Sequence, residues 1–267
     1  LVGRIWTKTN IAAIATNDKN LTPAYIYDYK YRLMINLPPI HTILVPQGAE
    51  YKAVCRGLSR INSSTPTVIA IPIGMKPLTK YLEQWQTDKH FQNDSQPRVI
   101  IMGICGSLSK RYAVGDIVLY QNCIYQKQVR ECDRIFTTQL HSHLSYKVSL
   151  VNSLSCDRVI WSAAEKLHLG ETLGTDVVDM EGFAALEFFN ASGVAVAMLR
   201  VVSDDSGHDI PDLTPAINPD GSLQPLALAM ALLRQPIAAT RLIRGSLTGI
   251  KVLEQLTSLL FSEYMLE

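Results

Sequence analysis

The chain has 267 residues, 47% of them hydrophobic, which is enough apolar material for a substantial core in one α/β domain of ordinary size. Its 25 Lys and Arg against 24 Asp and Glu leave a formal net charge of +1; with no block of like charges, the sequence as a whole gives no electrostatic footprint for nucleic acid or an anionic membrane surface. Five cysteines, odd in number and without zinc-like spacing, read as reduced thiols. No apolar run is long enough to span a bilayer, and residues 11–15 are too short for a signal peptide, so a cytoplasmic location is the expectation.

Residues 1–33 scatter Tyr25, Tyr27, Tyr29 and Tyr31 among polar residues without a sustained helical pattern. Residues 1–39 are therefore expected to form an N-terminal extension ahead of a domain over 40–267, with residues 1–33 upstream of a native start. After Pro38-Pro39, the run HTILV at 41–45 reads as the first core strand. Residues 49–58 have helical composition, with Ala53, Val54 and Leu58 on one side, which sets Glu50 at a strand-to-helix turn. TVIAIPI at 67–73 and RVIIMG at 98–103 predict two further buried strands, with a helix over about 77–85 between them. Gly103 and Gly106 follow directly; glycines there let backbone amides approach a sugar or an anion without a Cβ in the way.

Residues 117–124 continue as a strand, and 125–136 read as a loop or edge strand. His141 and His143 would share one face of a strand, but no third ligand is evident, so they read as surface histidines and no metal site is expected. Another strand is predicted over 148–151. A Pro-, Asp- and Gly-rich loop over 207–224 is placed to lid a site, and 226–233 and 237–260 read as helices separated by Pro236.

The most informative stretch is DVVDMEGFAALEFFNASGVAVAMLRVVSDDS at 176–206. A short apolar run ends at Asp179-Met180-Glu181, and a helical pattern follows in Phe183, Leu186, Phe188 and Phe189. After Gly193 comes a β-branched run over 194–202, interrupted by Arg200 and ending in Ser203-Asp204-Asp205. Ligands of open α/β sheets bind outside the carboxyl ends of strands, so two strands are expected to deliver Glu181 and Asp204 to the same edge. A carboxylate near a helix N-terminus is stabilising in any case, and either acid alone is open to that plainer reading.

The DMEG segment, apolar helix, small-residue strand and RVVSDD, with GICGSL at 103–108 and VGDIV at 114–118, resemble the nucleoside phosphorylase and methylthioadenosine/S-adenosylhomocysteine nucleosidase superfamily. The resemblance implies a single α/β domain with a mixed, mostly parallel central sheet flanked by helices, and cleavage of the N-glycosidic bond of an adenine-type purine nucleoside by water or phosphate. Carried over, Met180 packs on the ribose, Glu181 binds its hydroxyls, and Ser203 and Asp204 belong to the purine site, with Asp204 at N7. Glu50 matches the general base of the nucleosidase branch. Gly103, Gly106 and Ser107 stand at the sugar and anion positions. Residues 155–160, SCDRVI, resemble a segment whose backbone pairs with adenine, which places Ile160 at the pairing position and Val159 where an aromatic ring would stack; Trp161 stands next to it.

The hexameric phosphorylases have a Ser and an Arg for phosphate where this chain has Ile104 and Ile101, and isoleucine has no donor. Phosphorolysis would need Ser107, Lys52 or Arg56 instead. The resemblance implies neither metal nor organic cofactor, phosphate being a possible co-substrate, and a homodimer or larger homo-oligomer. The helical tail is also similar to that of hopanoid-associated phosphorylases, a subgroup acting on a lipid-linked adenosyl group. A catalytically inactive nucleoside-binding or sensing protein on the same fold is the alternative. An unrelated dinucleotide-binding protein is disfavoured by the lack of G-x-G-x-x-G after the first strand.

Overall fold

Alternation along one strand explains why the sheet is covered on both sides. In the computed structural model, which describes residues 39–61, 66–87, 97–144, 148–218, 220, 222 and 224–262, strand β3 (Arg98–Ser107) sends Val99 and Ile101 into one apolar cluster and Ile100 and Met102 into another. That is the period-2 consequence of a pleated strand. The extension expected over 1–39 lies outside the described residues except for Pro39.

Strands β1 (Thr42–Pro46) and β2 (Thr67–Ile71) run parallel to β3 on one side. On the other side, β3 pairs in parallel with β8 (Ala195–Asp204), and β8 pairs antiparallel with β4 (Ile117–Tyr125). Strand β4 is parallel to β6 (Val148–Ser155), which is parallel to the short β7 (Val177–Asp179). Strand β7 then pairs antiparallel with the end of β3 and closes a ring. The edge strand β5 (Gln128–Glu131) hairpins onto β4. The sheet is thus mixed and mostly parallel, and it also closes on itself, which the sequence pattern did not foretell.

One side is covered by α2 (Met75–Thr87), through Leu78, Leu82 and Trp85, and by α5 (Gly182–Ala191), through Phe183, Leu186 and Phe189. The other is covered by α1 (Ala49–Leu58), α3 (Arg134–Leu144) and the long α7 (Pro236–Ser262), through Val54, Phe136, Leu140, Leu253 and Leu256. Each such side chain contributes roughly 1.5–3 kcal/mol by leaving water. Helix α7 rests directly on the end of β8 because Gly245 faces the Ser203 carbonyl; a Cβ there would lie 2.1 Å from that oxygen. Helices α4 (Ala163–Leu173) and α6 (Pro225–Arg234) complete the described elements that position the site.

Three expectations are corrected. Strand β3 does not stop at Gly103 but continues through the glycine motif to Ser107, with a register shift between Cys105 and Gly106. His141 and His143 lie in the last turn of α3, not on a strand, and residues two apart on a helix do not share a face; among the described residues no cluster of His, Cys, Asp and Glu is placed to hold a metal. Finally, β7 is antiparallel to β3 while β8 is parallel to it, so the carboxyl ends of β7 and β8 point in opposite directions rather than to one edge.

Candidate active site

That opposition sets out the site as a line along β3. Gly106 stands opposite both Val178 of β7 and Asp204 of β8. From there β7 turns back along β3 into Met180 and Glu181, while Arg200 of β8 is level with Gly103. Two polar groups result, one at Gly103 and one at Gly106, three residues or roughly 10 Å apart along the strand.

At Gly103, a Cβ would lie 2.3 Å from an Arg200 terminal nitrogen and 2.4 Å from Glu50 Oε2. Glycine is required there because the space is taken by these two side chains, both reaching over the strand. Arg200 is fully buried on the β8 face that also carries Val196, Met198 and Val202. One terminal nitrogen lies 3.5 Å from Asp179 Oδ2 and 3.6 Å from Glu181 Oε2. Its Nε and other terminal nitrogen have no hydrogen-bond partner. Such donors, buried and unspent, are costly unless a bound group uses them.

Glu50 enters from the first turn of α1 and accepts a hydrogen bond from the Ile104 amide at 2.7 Å. Burial pushes its carboxyl up to about 7; Arg200 and the Ile104 amide pull it down, and the neighbouring Glu181 adds to the rise. Glu181 immediately precedes α5, and its carboxyl accepts from the Gly74 amide at 2.9 Å. Burial also raises the Glu181 carboxyl, opposed by Arg200 and reinforced by Asp179. Gly74 has φ +95°, the left-handed region that glycine adopts freely. Asp179 is spent on structure: its Oδ1 accepts from Ser155 Oγ at 2.7 Å and from the Gly182 amide at 3.2 Å, while Ser155 Oγ accepts from the Phe183 amide at 2.9 Å. This network satisfies the start of α5 and fixes Met180 and Glu181 between β7 and the helix.

At Gly106, the Asp204 carboxylate meets the ammonium group of Lys166, a fully buried residue of α4. Lys166 Nζ also donates to the Asp205 carbonyl at 3.0 Å. Ser203 Oγ lies 3.1 Å from the Cys105 carbonyl and 3.0 Å from Asp204 Oδ1, so its proton serves one or the other. A cavity of about 30 Å³ lies beside Asp204, walled in part by His208, Ile210 and Arg241; it has room for about one water. His208 Nδ1 is held 3.0 Å from Asp205 Oδ1.

The other sequence candidates fall around this line. Val159 is half-buried and Ile160 buried, packed with Leu108, Leu154 and Val178, and the Trp161 carbonyl accepts from the Ile210 amide at 2.9 Å. The segment after SCD is thereby tied to the loop that follows Asp204. Gly106 makes room for the Asp204 carboxylate, 2.9 Å from where a Cβ would be. Ser107 is fully buried and its hydroxyl donates to the Ser109 carbonyl at 2.7 Å. Arg56 pairs with Glu254 of α7 instead of reaching the cluster. The Ile104 side chain faces Gly249 of α7, leaving only its amide in the site.

Sequence reasoning missed two residues. Arg200 read only as an interruption of an apolar strand, although a lone cation in a doubly buried run is itself a signal, since an unpaired buried charge is prohibitive. Lys166 gave no such signal, because Lys on an amphipathic helix reads as solvated.

A ring-closed mixed sheet holding a buried arginine among carboxylates at a strand-to-helix junction defines an α/β protein with a built polar site. The Phosphorylase superfamily profile matches residues 53–216, and the chain belongs to that family. No curated protein sequence matches it. Among solved structures, native futalosine hydrolase of Helicobacter pylori is similar, with 15% identity over 80% of this chain and 95% of that one and a TM-score of 0.55. The methylthioadenosine/S-adenosylhomocysteine nucleosidase of Helicobacter pylori with butyl-thio-DADMe-Immucillin-A has 15% identity, 81% and 97% coverage and a TM-score of 0.55. A putative nucleosidase from Borrelia burgdorferi bound to adenine has 12% identity, 83% and 98% coverage and a TM-score of 0.56. At these identities the likeness is one of fold.

Proposed function

We propose that this protein hydrolyses the N-glycosidic bond of an adenine-type purine nucleoside. The observation that carries this reading is the cluster at Gly103: a Glu50 carboxyl raised to about 7, beside unpartnered Arg200 donors and next to Glu181. A carboxylate with a pKa near working pH is suited to take a proton from water, and Arg200 orients that water without competing for its proton.

In this reading Glu181 accepts hydrogen bonds from the ribose hydroxyls and Met180 lies under the sugar. The bond from C1′ to the purine nitrogen breaks with its electrons going to the base, and the negative carboxylates favour the cationic sugar. A proton of the Lys166 ammonium, shared with the Asp204 carboxylate, goes to N7 of the departing base as charge develops there. Water adds to C1′ and gives its proton to Glu50. The roughly 10 Å between the two polar groups suits sugar chemistry at one and base recognition at the other. His208 and Ile210, of the loop expected to lid a site, wall the cavity beside Asp204, and withdrawal of that loop would admit a purine.

Water is favoured over phosphate because three carboxylates, Glu50, Asp179 and Glu181, surround the one arginine and oppose an incoming anion. Ser107 and Arg56 are engaged elsewhere. The names of the similar Helicobacter pylori structures, a hydrolase and a nucleosidase, agree with this. Assembly as a homodimer or larger oligomer belongs to the same reading and is checked by sedimentation equilibrium.

The test is base release from adenosine, methylthioadenosine and S-adenosylhomocysteine with and without phosphate, with Glu50→Gln as control. Free base and free sugar without phosphate are expected. A sugar phosphate formed only when phosphate is added would replace water by phosphate in the mechanism. Nucleoside binding with no base release would favour the sensing protein.

A further inference from the structure

Eight large hydrophobic side chains stand exposed among the described residues, and six of them, Leu226, Met230, Leu233, Ile237, Ile243 and Leu247, lie on α6 and the first half of α7. Helix α6, PLALAMALLR, has no buried residue. Leu226, Met230 and Leu233 recur at i, i+4 and i+7, one outward stripe, with Leu226 76% and Leu233 80% exposed. A contiguous face of this kind marks a surface meant to be covered.

The charge on the same segment says by what. From residue 224 to 253 there is no Asp or Glu, while Arg234, Arg241, Arg244 and Lys251 are all exposed. Four cations in a chain of net charge +1 leave the remainder net negative, so the near-neutral total conceals a local excess. Two copies of this face laid against each other would gather cations with no carboxylate to pair them, which disfavours self-association here. No single helix is long and apolar enough to cross a membrane. Nor is α7 free to leave the protein, since Ala239, Gly245, Gly249 and Leu253 hold its inner face in the core. The remaining arrangement is an elbow, bent by 120° between the two helices, that lies on a surface.

We propose that the α6–α7 elbow docks this protein on an anionic lipid bilayer. Leu226, Met230, Leu233 and Ile237 enter the boundary between headgroups and acyl chains, about 5–10 Å deep. Arg234, Arg244 and Lys251, the cations of this face that take no part in the cavity beside Asp204, extend along the apolar surface to reach the phosphates. Each cation is worth roughly fivefold in partitioning, the equivalent of about 1 kcal/mol beside an anionic leaflet.

The experiment is co-sedimentation of the purified chain with vesicles of phosphatidylcholine alone and of phosphatidylcholine with phosphatidylglycerol. Binding is expected to the second, weakening as salt rises. The pair Arg234→Glu and Arg244→Glu should reduce it more than about 25-fold, the product of two such factors. The pair Leu226→Asp and Leu233→Asp, exposed positions that leave the fold intact by circular dichroism, should abolish it. Failure to sediment with either vesicle, or binding that ignores both pairs, overturns the proposal. So does a Leu226→Asp and Leu233→Asp protein that sediments as a smaller assembly than the parent, which would make a second copy the occupant. Turnover of nucleosides enters none of these outcomes, so they are independent of the proposed activity.

Discussion

Lys166 reaches from the first turn of α4 to the end of β8 and places its ammonium, wholly removed from solvent, against the Asp204 carboxylate. Breaking such a pair from one side leaves an uncompensated buried charge and costs about 3–5 kcal/mol. Lys166→Met and Asp204→Asn are each expected to lower unfolding stability in urea by about that amount. The double variant should recover at least half of it, because neither orphan charge then remains. In steady-state assays Lys166→Met should lose kcat by about 10²–10⁴-fold, the usual contribution of a positioned acid, with a smaller change in KM. A Lys166→Met protein that folds with kcat intact would confine the pair to a structural role.

Glu50 makes opposite predictions for activity and stability. As a base it must be ionised, so kcat/KM should fall about tenfold per pH unit below about 7. Its ordinary value is 4.5, so between 4.5 and 7 the folded chain keeps a proton that the unfolded chain has released. The group's stabilising contribution is therefore full below 4.5 and is lost as pH rises through 7. At pH 8 the buried carboxylate works against the fold, and Glu50→Gln should be the more stable protein by on the order of 1–3 kcal/mol, part of the residue being still accessible to solvent. Thermal melts at pH 5 and pH 8 test this: the variant's advantage should vanish at the lower pH.

How much of this was legible in the sequence follows from which interactions are local. Strands β1, β2, β3 and β8 and helices α1, α2, α6 and α7 announce themselves through apolar runs, helical spacing and Pro236. Helix α3 does not, because Thr137, Thr138, His141 and His143 are weak helix formers and packing of Phe136 and Leu140 decides it. Glu181 and Asp204 stand out because one lies between a strand and a helix and the other ends a strand. Their separation along β3 depends on β7 running against that strand, a register no local pattern encodes. Gly103 and Gly106 were visible as glycines, yet the reason for them lies in Arg200, Glu50 and Asp204, distant in sequence.

Gly103→Ala tests that reason directly. A methyl group would lie 2.3 Å from Arg200 and 2.4 Å from Glu50 Oε2, and backbone on a central strand cannot yield. Both side chains must move, and a displacement of about 1 Å in a catalytic group costs on the order of 10²-fold. The variant should therefore fold, since charged side chain ends are the atoms that give way, but lose kcat/KM by at least that factor. Near-parental turnover would separate the Gly103 cluster from the chemistry.

Val159 offers a prediction in the direction of gain. It stands half-buried beside Ile160, on the segment tied through Trp161 to the loop after Asp204, and it occupies the position where the resemblance calls for a stacking ring. A ring stacked on the base is worth about 0.5–1.5 kcal/mol beyond its buried area. Val159→Phe should accordingly lower KM for adenosine and methylthioadenosine by roughly 2–10-fold and leave kcat unchanged, because the base is stacked equally before and during bond cleavage. An unaltered KM with the fold retained would mean that the base lies elsewhere.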